Sequence, residues 1–259
     1  MKPVARTASV APARVPSEPV VFHAHVDEAA LVERVCAAVL ETIAGERRRL
    51  VDALLLLSGG ATPVPVYRAL AAALGCLPTD NARLTISLVD ERWVAPGDAG
   101  SNERLLRESL LGAGREAVHG IGFWPLADWD QGLAASVAGA NARLQGTAGA
   151  ISLVLFGMGD DGHTASLFPG SADLLPALGA STPYVALDAT GCPGAGTWPQ
   201  RITLTPIGWK SARRRLLLIR GAHKRQLLER AMRERDIETL PICAALALGD
   251  APLEVHWAP

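Results

Sequence analysis

The sequence predicts an α/β protein built on a single open, mostly parallel sheet flanked by helices. Three observations carry this. Apolar runs at 51–57, 84–89 and 151–156 are nearly unbroken, as in strands buried on both faces. Segments with helical spacing alternate with them, at 27–48, 63–74, 127–144 and 222–235. The strands end in SGG, DER, GMGDDGH and RGAHK, glycine-rich or charged, and such sheets bind ligands beyond their strands' C-terminal ends.

Each element has its own reason. Residues 1–20 are proline-rich with Glu18 as their one acid, a composition that predicts a mobile arm before an α/β region over 21–259, whose length allows one large domain or two small ones. In 27–48, Leu31, Val35, Ala38 and Val39 share one helical face and Asp27 is placed to cap it. The strand 51–57 stops at Ser58-Gly59-Gly60, and Pro63 suits the first turn of the helix that follows. The strand 84–89 runs into Asp90-Glu91-Arg92, and Ser101 caps a short helix to 111. After the helix 127–144 and the strand 151–156, residues 201–205 alternate like a strand. A strand at 216–220, a charged amphipathic helix at 222–235 and a strand at 253–257 complete the series.

Composition excludes several classes. With 25 basic and 26 acidic residues the net charge is −1, which argues against nucleic acid or an acidic membrane as a partner. No apolar stretch approaches the roughly 18 residues of a membrane span. Cys36, Cys76, Cys192 and Cys243 lie far apart without a C-x-x-C pair, the pattern of free thiols in a reducing compartment, and the cytoplasm is the expected location. No G-x-S-x-G elbow is present. His23-x-His25 has no cysteine or further histidine near it in sequence, so no metal site is expected.

Four loops carry the chemistry. Gly59-Gly60, with the Thr62 hydroxyl, suits an anion at a helix N-terminus or a plain tight turn. Arg92 offers a planar fork for phosphate or carboxylate, with Asp90 and Glu91 to orient it or hold sugar hydroxyls; a surface ion pair is the bland alternative. Gly157, Gly159 and Gly162 match the dinucleotide spacing G-x-G-x-x-G, with Asp188 as a possible ribose acid, but Pro169-Gly170 stops the required helix after about two turns. Asp161-Gly162-His163 then reads as a carboxylate and a general base on a glycine-bent loop, with N–H groups of 157–162 as oxyanion donors. Lys224, in the first turn of a helix, is a phosphate contact or a solvent-exposed lysine.

The blocks SGGATP, DERWV with its later SN, GMGDDGHTASLFPG, RITLTP and GAHK run in this order from Ser58 to Lys224. Together they resemble the 6-phosphogluconolactonase family, which opens 6-phosphoglucono-δ-lactone in the pentose phosphate pathway. The resemblance implies the fold shared by glucosamine-6-phosphate deaminases and ribose-5-phosphate isomerases, no metal or organic cofactor, a small phosphosugar lactone as substrate, and a monomer or homodimer. It implies His163 as the base, with Asp161 in the same catalytic loop. Gly59, Gly60, Arg92 and Lys224 then line the phosphate end, and Thr62, Asp90 and Arg201 join the substrate-binding set. Ala61 departs from the family, whose members often carry serine there. Two alternatives are an amino-sugar-6-phosphate deaminase or isomerase and a non-catalytic sugar-phosphate sensor. The deaminase loop typically continues Phe-Asn-Glu-Pro, where this chain reads Ser166-Leu167-Phe168-Pro169-Gly170. The sensors carry a helix-turn-helix, which the short N-terminal arm cannot hold.

Overall fold

Seven parallel strands form the main sheet of the computed structural model, which describes residues 20–76, 84–112, 120–147 and 151–259. In chain order these are β1 (Val20–Ala24), β2 (Ala53–Leu57), β3 (Leu84–Leu88), β5 (Ile121–Phe123), β6 (Leu153–Gly157), β9 (Arg215–Arg220) and β10 (Leu253–Ala258). Their spatial order is β1-β10-β9-β6-β2-β3-β5. The five residues of β2 are all buried, as an unbroken apolar run requires of a strand covered on both faces. Helix α1 (Glu28–Arg48) and helix α7 (Gly221–Glu234) lie on opposite faces of β10, and the short helices α5 (Leu174–Leu178) and α6 (Pro206–Trp209) fall between β6 and β9 in the chain. Arg214, bonded to Ala38 O of α1, holds Glu254, whereas Arg225 of α7 packs over the Trp257 ring, three residues on and facing the other way.

Several expectations are corrected. Beside the expected open parallel sheet, β4 (Asp90–Arg92), β8 (Gln200–Leu204) and β7 (Tyr184–Asp188) form a second, three-stranded antiparallel sheet in the order β4-β8-β7. Asp90-Glu91-Arg92 is therefore a short strand rather than a loop, and 201–205 belongs to this small sheet. The helix expected over 127–144 begins late, as α4 (Leu133–Gly146). Residues before it form a turn in which Gly132, at φ 86°, and Gln131 both donate to Asp128 O, while Ser136 Oγ accepts from Asp128 N. The helix after Ser101 is α3 (Asn102–Leu106) followed by a wider π-helical turn, Arg107–Leu111. The predicted arm falls on residues outside those described, except Val20, which opens β1.

β1 also changes the standing of the histidine pair. It pairs with β10 in parallel so that His23 sits beside His256, a histidine 233 residues away in the chain that local spacing does not reveal. Among the described residues no helix is long and apolar enough to cross a membrane.

Both predicted side-chain caps form: Asp27 accepts from Ala30 N at 2.8 Å and Ser101 from Arg104 N at 3.1 Å. Asp27→Ala is expected to lower the unfolding free energy by about 1 kcal/mol, measured by urea denaturation.

Candidate active site

The strand order reverses between β2 and β6, and the loops that leave these two strands part to open a cleft of about 220 Å³. Gly59, Gly60, Thr62, Asp90, Arg92, His163, Arg201 and Lys224 all line it. Asp161 is the one predicted site residue that stands behind the lining, bonded to His163.

The first wall is the turn between β2 and helix α2 (Val64–Gly75), which ends on the positive end of that helix. Gly60 has φ 91°, a left-handed conformation that favours glycine. A Cβ on Gly59 would strike the side-chain amide of Asn102. Asn102 Nδ2 donates to Asp90 O at 2.8 Å, and its Oδ1 is buried without a partner, as are Ser58 Oγ and Arg92 Nε. All three residues line the cleft. Such atoms are costly to bury alone.

Asn102 is fixed by Glu91. This buried carboxylate accepts from the backbone N–H of Arg92, Asn102 and Glu103 at 2.8, 2.7 and 2.7 Å, closing the N-terminus of α3. Burial pushes Glu91 up to about 7, against the pull of those three donors. Arg92 NH1 donates to Gly100 O, and its guanidinium lies 5.6 Å from the Trp198 ring centroid.

The second wall is the loop after β6. His163 Nδ1 lies 2.5 Å from Asp161 Oδ1, which also accepts from His163 N at 3.1 Å. Burial raises the Asp161 carboxyl, but the hydrogen bonds and charge of His163 outweigh it and hold the group below its ordinary range. An ionised Asp161 accepts only, so Nδ1 of the neutral imidazole carries the proton and Nε2 is left as the basic atom. The ring is boxed in. A Cβ on Gly159 would collide with it, one on Gly194 would collide with Asp161, and Phe168 packs against it at 4.5 Å between centroids.

One expectation needs revision here. Gly159 N–H donates to His163 O and Gly162 N–H to Gly159 O, so these two groups close the loop and are not available to an oxyanion. Arg201 lines the cleft, buried, with its guanidinium also held by the protein. Nε donates to Trp198 O at 2.5 Å, NH2 to Ala195 O at 2.8 Å, and NH1 lies 3.8 Å from Asp90 Oδ2. Asp90 in turn accepts from Ser166 Oγ at 2.6 Å. Burial lowers Arg201 to about 10, with Asp90 working in the other direction.

Lys224, at the start of α7, donates to Met158 O at 2.6 Å and so ties that helix to the histidine loop. Sequence reasoning missed Gly194 and the role of Asn102. Gly194 lies in the short 3-10 turn Pro193–Ala195, which carries no charged or nucleophilic residue. Asn102 was visible only as the second letter of SN.

Comparison with known proteins comes to the same place. The model of the glucosamine-6-phosphate isomerase/6-phosphogluconolactonase family matches residues 26–257. A 6-phosphogluconolactonase of Xylella fastidiosa (strain Temecula1) is 49% identical over 203 residues, 78% of this chain and 81% of its own. One of Rhizobium meliloti is 35% identical over 207 residues, 79% and 84% of the two chains. A 6-phosphogluconolactonase structure from Shewanella baltica superposes with TM-score 0.81 at 29% identity, covering 93% of this chain and 99% of the other. A monomeric glucosamine-6-phosphate deaminase reaches TM-score 0.71 at 19% identity over 92% and 97%, a likeness of fold alone.

The dyad has a spectroscopic test. The His163 Nδ1 proton is expected as a far-downfield 1H resonance in the wild type. Asp161→Asn, and Gly159→Ala through its collision with the ring, should each shift or abolish it without a change in far-UV circular dichroism.

Proposed function

The chain belongs to the glucosamine-6-phosphate isomerase/6-phosphogluconolactonase family, and from that premise we propose that it hydrolyses 6-phosphoglucono-δ-lactone to 6-phosphogluconate. The observation that carries this reading is the meeting in one cleft of a His163–Asp161 pair and a Gly59-Gly60 turn flanked by Arg92 and Lys224. An imidazole base and an anion seat in the same cleft suit a lactone that carries a phosphate at its far end.

In the mechanism we infer, the phosphate rests on the Gly59-Gly60 turn at the start of α2, with Lys224 and Arg92 supplying positive charge. This anchors the sugar and brings its C1 carbonyl to His163. Nε2 takes a proton from water as the water oxygen bonds to C1. The C1–O5 bond then breaks, and the imidazolium returns its proton to the departing ring oxygen. Asp161 keeps the ring in the reactive tautomer and balances the imidazolium charge. No covalent intermediate is needed, because a δ-lactone is already an activated ester. The reaction uses protein side chains and no cofactor, and on this reading the enzyme works in the cytoplasm as a monomer or homodimer.

The deaminase alternative lacks its acid. Leu167 and Phe168, in the segment after His163, are fully buried, and the adjacent Ser166 is bonded to Asp90. A non-catalytic sensor would have no use for a carboxylate that sets the tautomer of a boxed imidazole.

Turnover of freshly generated lactone, corrected for spontaneous hydrolysis, tests the assignment. His163→Ala is expected to lower kcat by roughly 10²–10⁴ with KM little changed; near-normal turnover would remove it as the base. Lys224→Ala is expected to raise KM for the phosphorylated lactone about tenfold or more, while hydrolysis of unphosphorylated glucono-δ-lactone stays as in the wild type. Equal KM effects on both lactones would exclude a phosphate contact.

A further inference from the structure

A second polar cluster lies at the far edge of the large sheet. Because β1 and β10 run in register, His23 stands beside His256, and strand alternation puts His25 and Glu254 on the same face. The His23 and His256 rings stack at 4.7 Å between centroids, and His23 Nε2 is 4.0 Å from Glu254 Oε2. His23, Glu254 and His256 each offer one donor atom, and these atoms lie within 4.8 Å of one another.

His256 carries the decisive detail. The residue is fully buried, yet its Nε2 has no hydrogen-bond partner. Leaving a buried polar atom unpaired is costly. Its other ring nitrogen, Nδ1, lies 3.1 Å from His25 Nε2. That is the arrangement of a metal-ligating histidine, in which one nitrogen faces the ion and the other N–H is donated to an acceptor that fixes the tautomer.

We propose that His23, Glu254 and His256 bind one divalent transition-metal ion of the zinc class, with His25 as the outer partner of His256. Water completes the coordination, and the ion fastens the edge strand β1 to β10. Two imidazoles and a carboxylate suit zinc and not magnesium or calcium, which take oxygen ligands. Tetrahedral bonds of about 2.0–2.1 Å place donors roughly 3.3 Å apart, so the present gaps must close by up to about 1.5 Å. His23, with a side chain 33% exposed on the outermost strand, is the ligand able to move, by turning out of its stack.

Glu254 is gripped by Arg214 at 2.7 and 2.9 Å, but each carboxylate oxygen keeps a further lone pair for a metal. The Arg214 charge, and that of Arg34 on α1, oppose a cation and weaken its binding.

The test is calorimetric titration of untagged, EDTA-stripped protein with Zn²⁺. One equivalent is expected to bind with Kd below about 100 μM and to raise Tm, whereas Mg²⁺ does neither. His23→Ala should weaken Zn²⁺ binding at least about tenfold and leave lactone turnover and the metal-free Tm unchanged. Should that variant's metal-free Tm fall, Glu254→Gln supplies the same comparison. His163→Ala should bind Zn²⁺ as the wild type does. Weaker wild-type binding, equal affinity in the wild type and the edge-strand variant, or loss of binding in His163→Ala overturns the proposal.

Discussion

Between β2 and β6 the strand order of the large sheet turns back on itself, and this reversal fixes where the polar groups of the cleft can stand. Connections leaving the two strands diverge, so a gap opens beyond their C-terminal ends that neither connection fills. The strands themselves stay in tight register, with Leu57 opposite Leu155 and Ser58 N bonded to Leu155 O. Their end residues, Ser58 and Gly157, are correspondingly small, and a Cβ on Gly157 would lie 3.6 Å from Ser58 Oγ. A sheet of buried leucines thus ends abruptly in a floor of backbone and hydroxyl.

The small antiparallel sheet supplies the rest of the enclosure. The chain leaves β3 at Val89, whose N–H still bonds Leu57 O of the large sheet while its carbonyl accepts from Leu204 of the small one. That single residue joins the two sheets at the edge of the cleft. Arg201 then ties the segment after β7, held through the Ala195 and Trp198 carbonyls, to the Ser166 hydroxyl and the Asp90 carboxylate. A buried guanidinium near a buried carboxylate is poor evidence for stability, because desolvation offsets the attraction. Its effect here is geometric. By holding Ala195 O and Trp198 O, Arg201 keeps Gly194 against the Asp161 carboxylate, and the histidine pair is closed from the side opposite its own loop.

What the sequence made legible was what is local. Buried strands announced themselves as apolar runs, and Asp27 and Ser101 could be read as caps because a cap acts within three residues. The glycine loops were legible for a similar reason, since SGG and GMGDDGH each hold their chemistry in one contiguous stretch. Features made by distant pairing were not. β4, three residues long, is a strand only because β8 lies against it, 111 residues later. Gly194 matters through a contact with Asp161 that no spacing encodes. His23-x-His25 looked like an isolated pair because its third member enters from the last strand of the chain.

The spacing G-x-G-x-x-G shows why a glycine pattern needs its occupant identified before it is given a meaning. In a dinucleotide loop the missing Cβ atoms let a pyrophosphate approach the backbone. Here the same absence at Gly159 admits the protein's own imidazole, and Gly162, at φ 83°, turns the chain against Leu240. Glycine at these positions reports only that something must come close. A side chain that comes close from within the same loop arrives already ordered, with its entropy lost during folding and not during the reaction. In the proposed mechanism, a base pinned by a carboxylate at 2.5 Å and boxed by Gly159, Gly194 and Phe168 needs little reorganisation when water attacks, which is the part of catalysis that a fold can supply in advance.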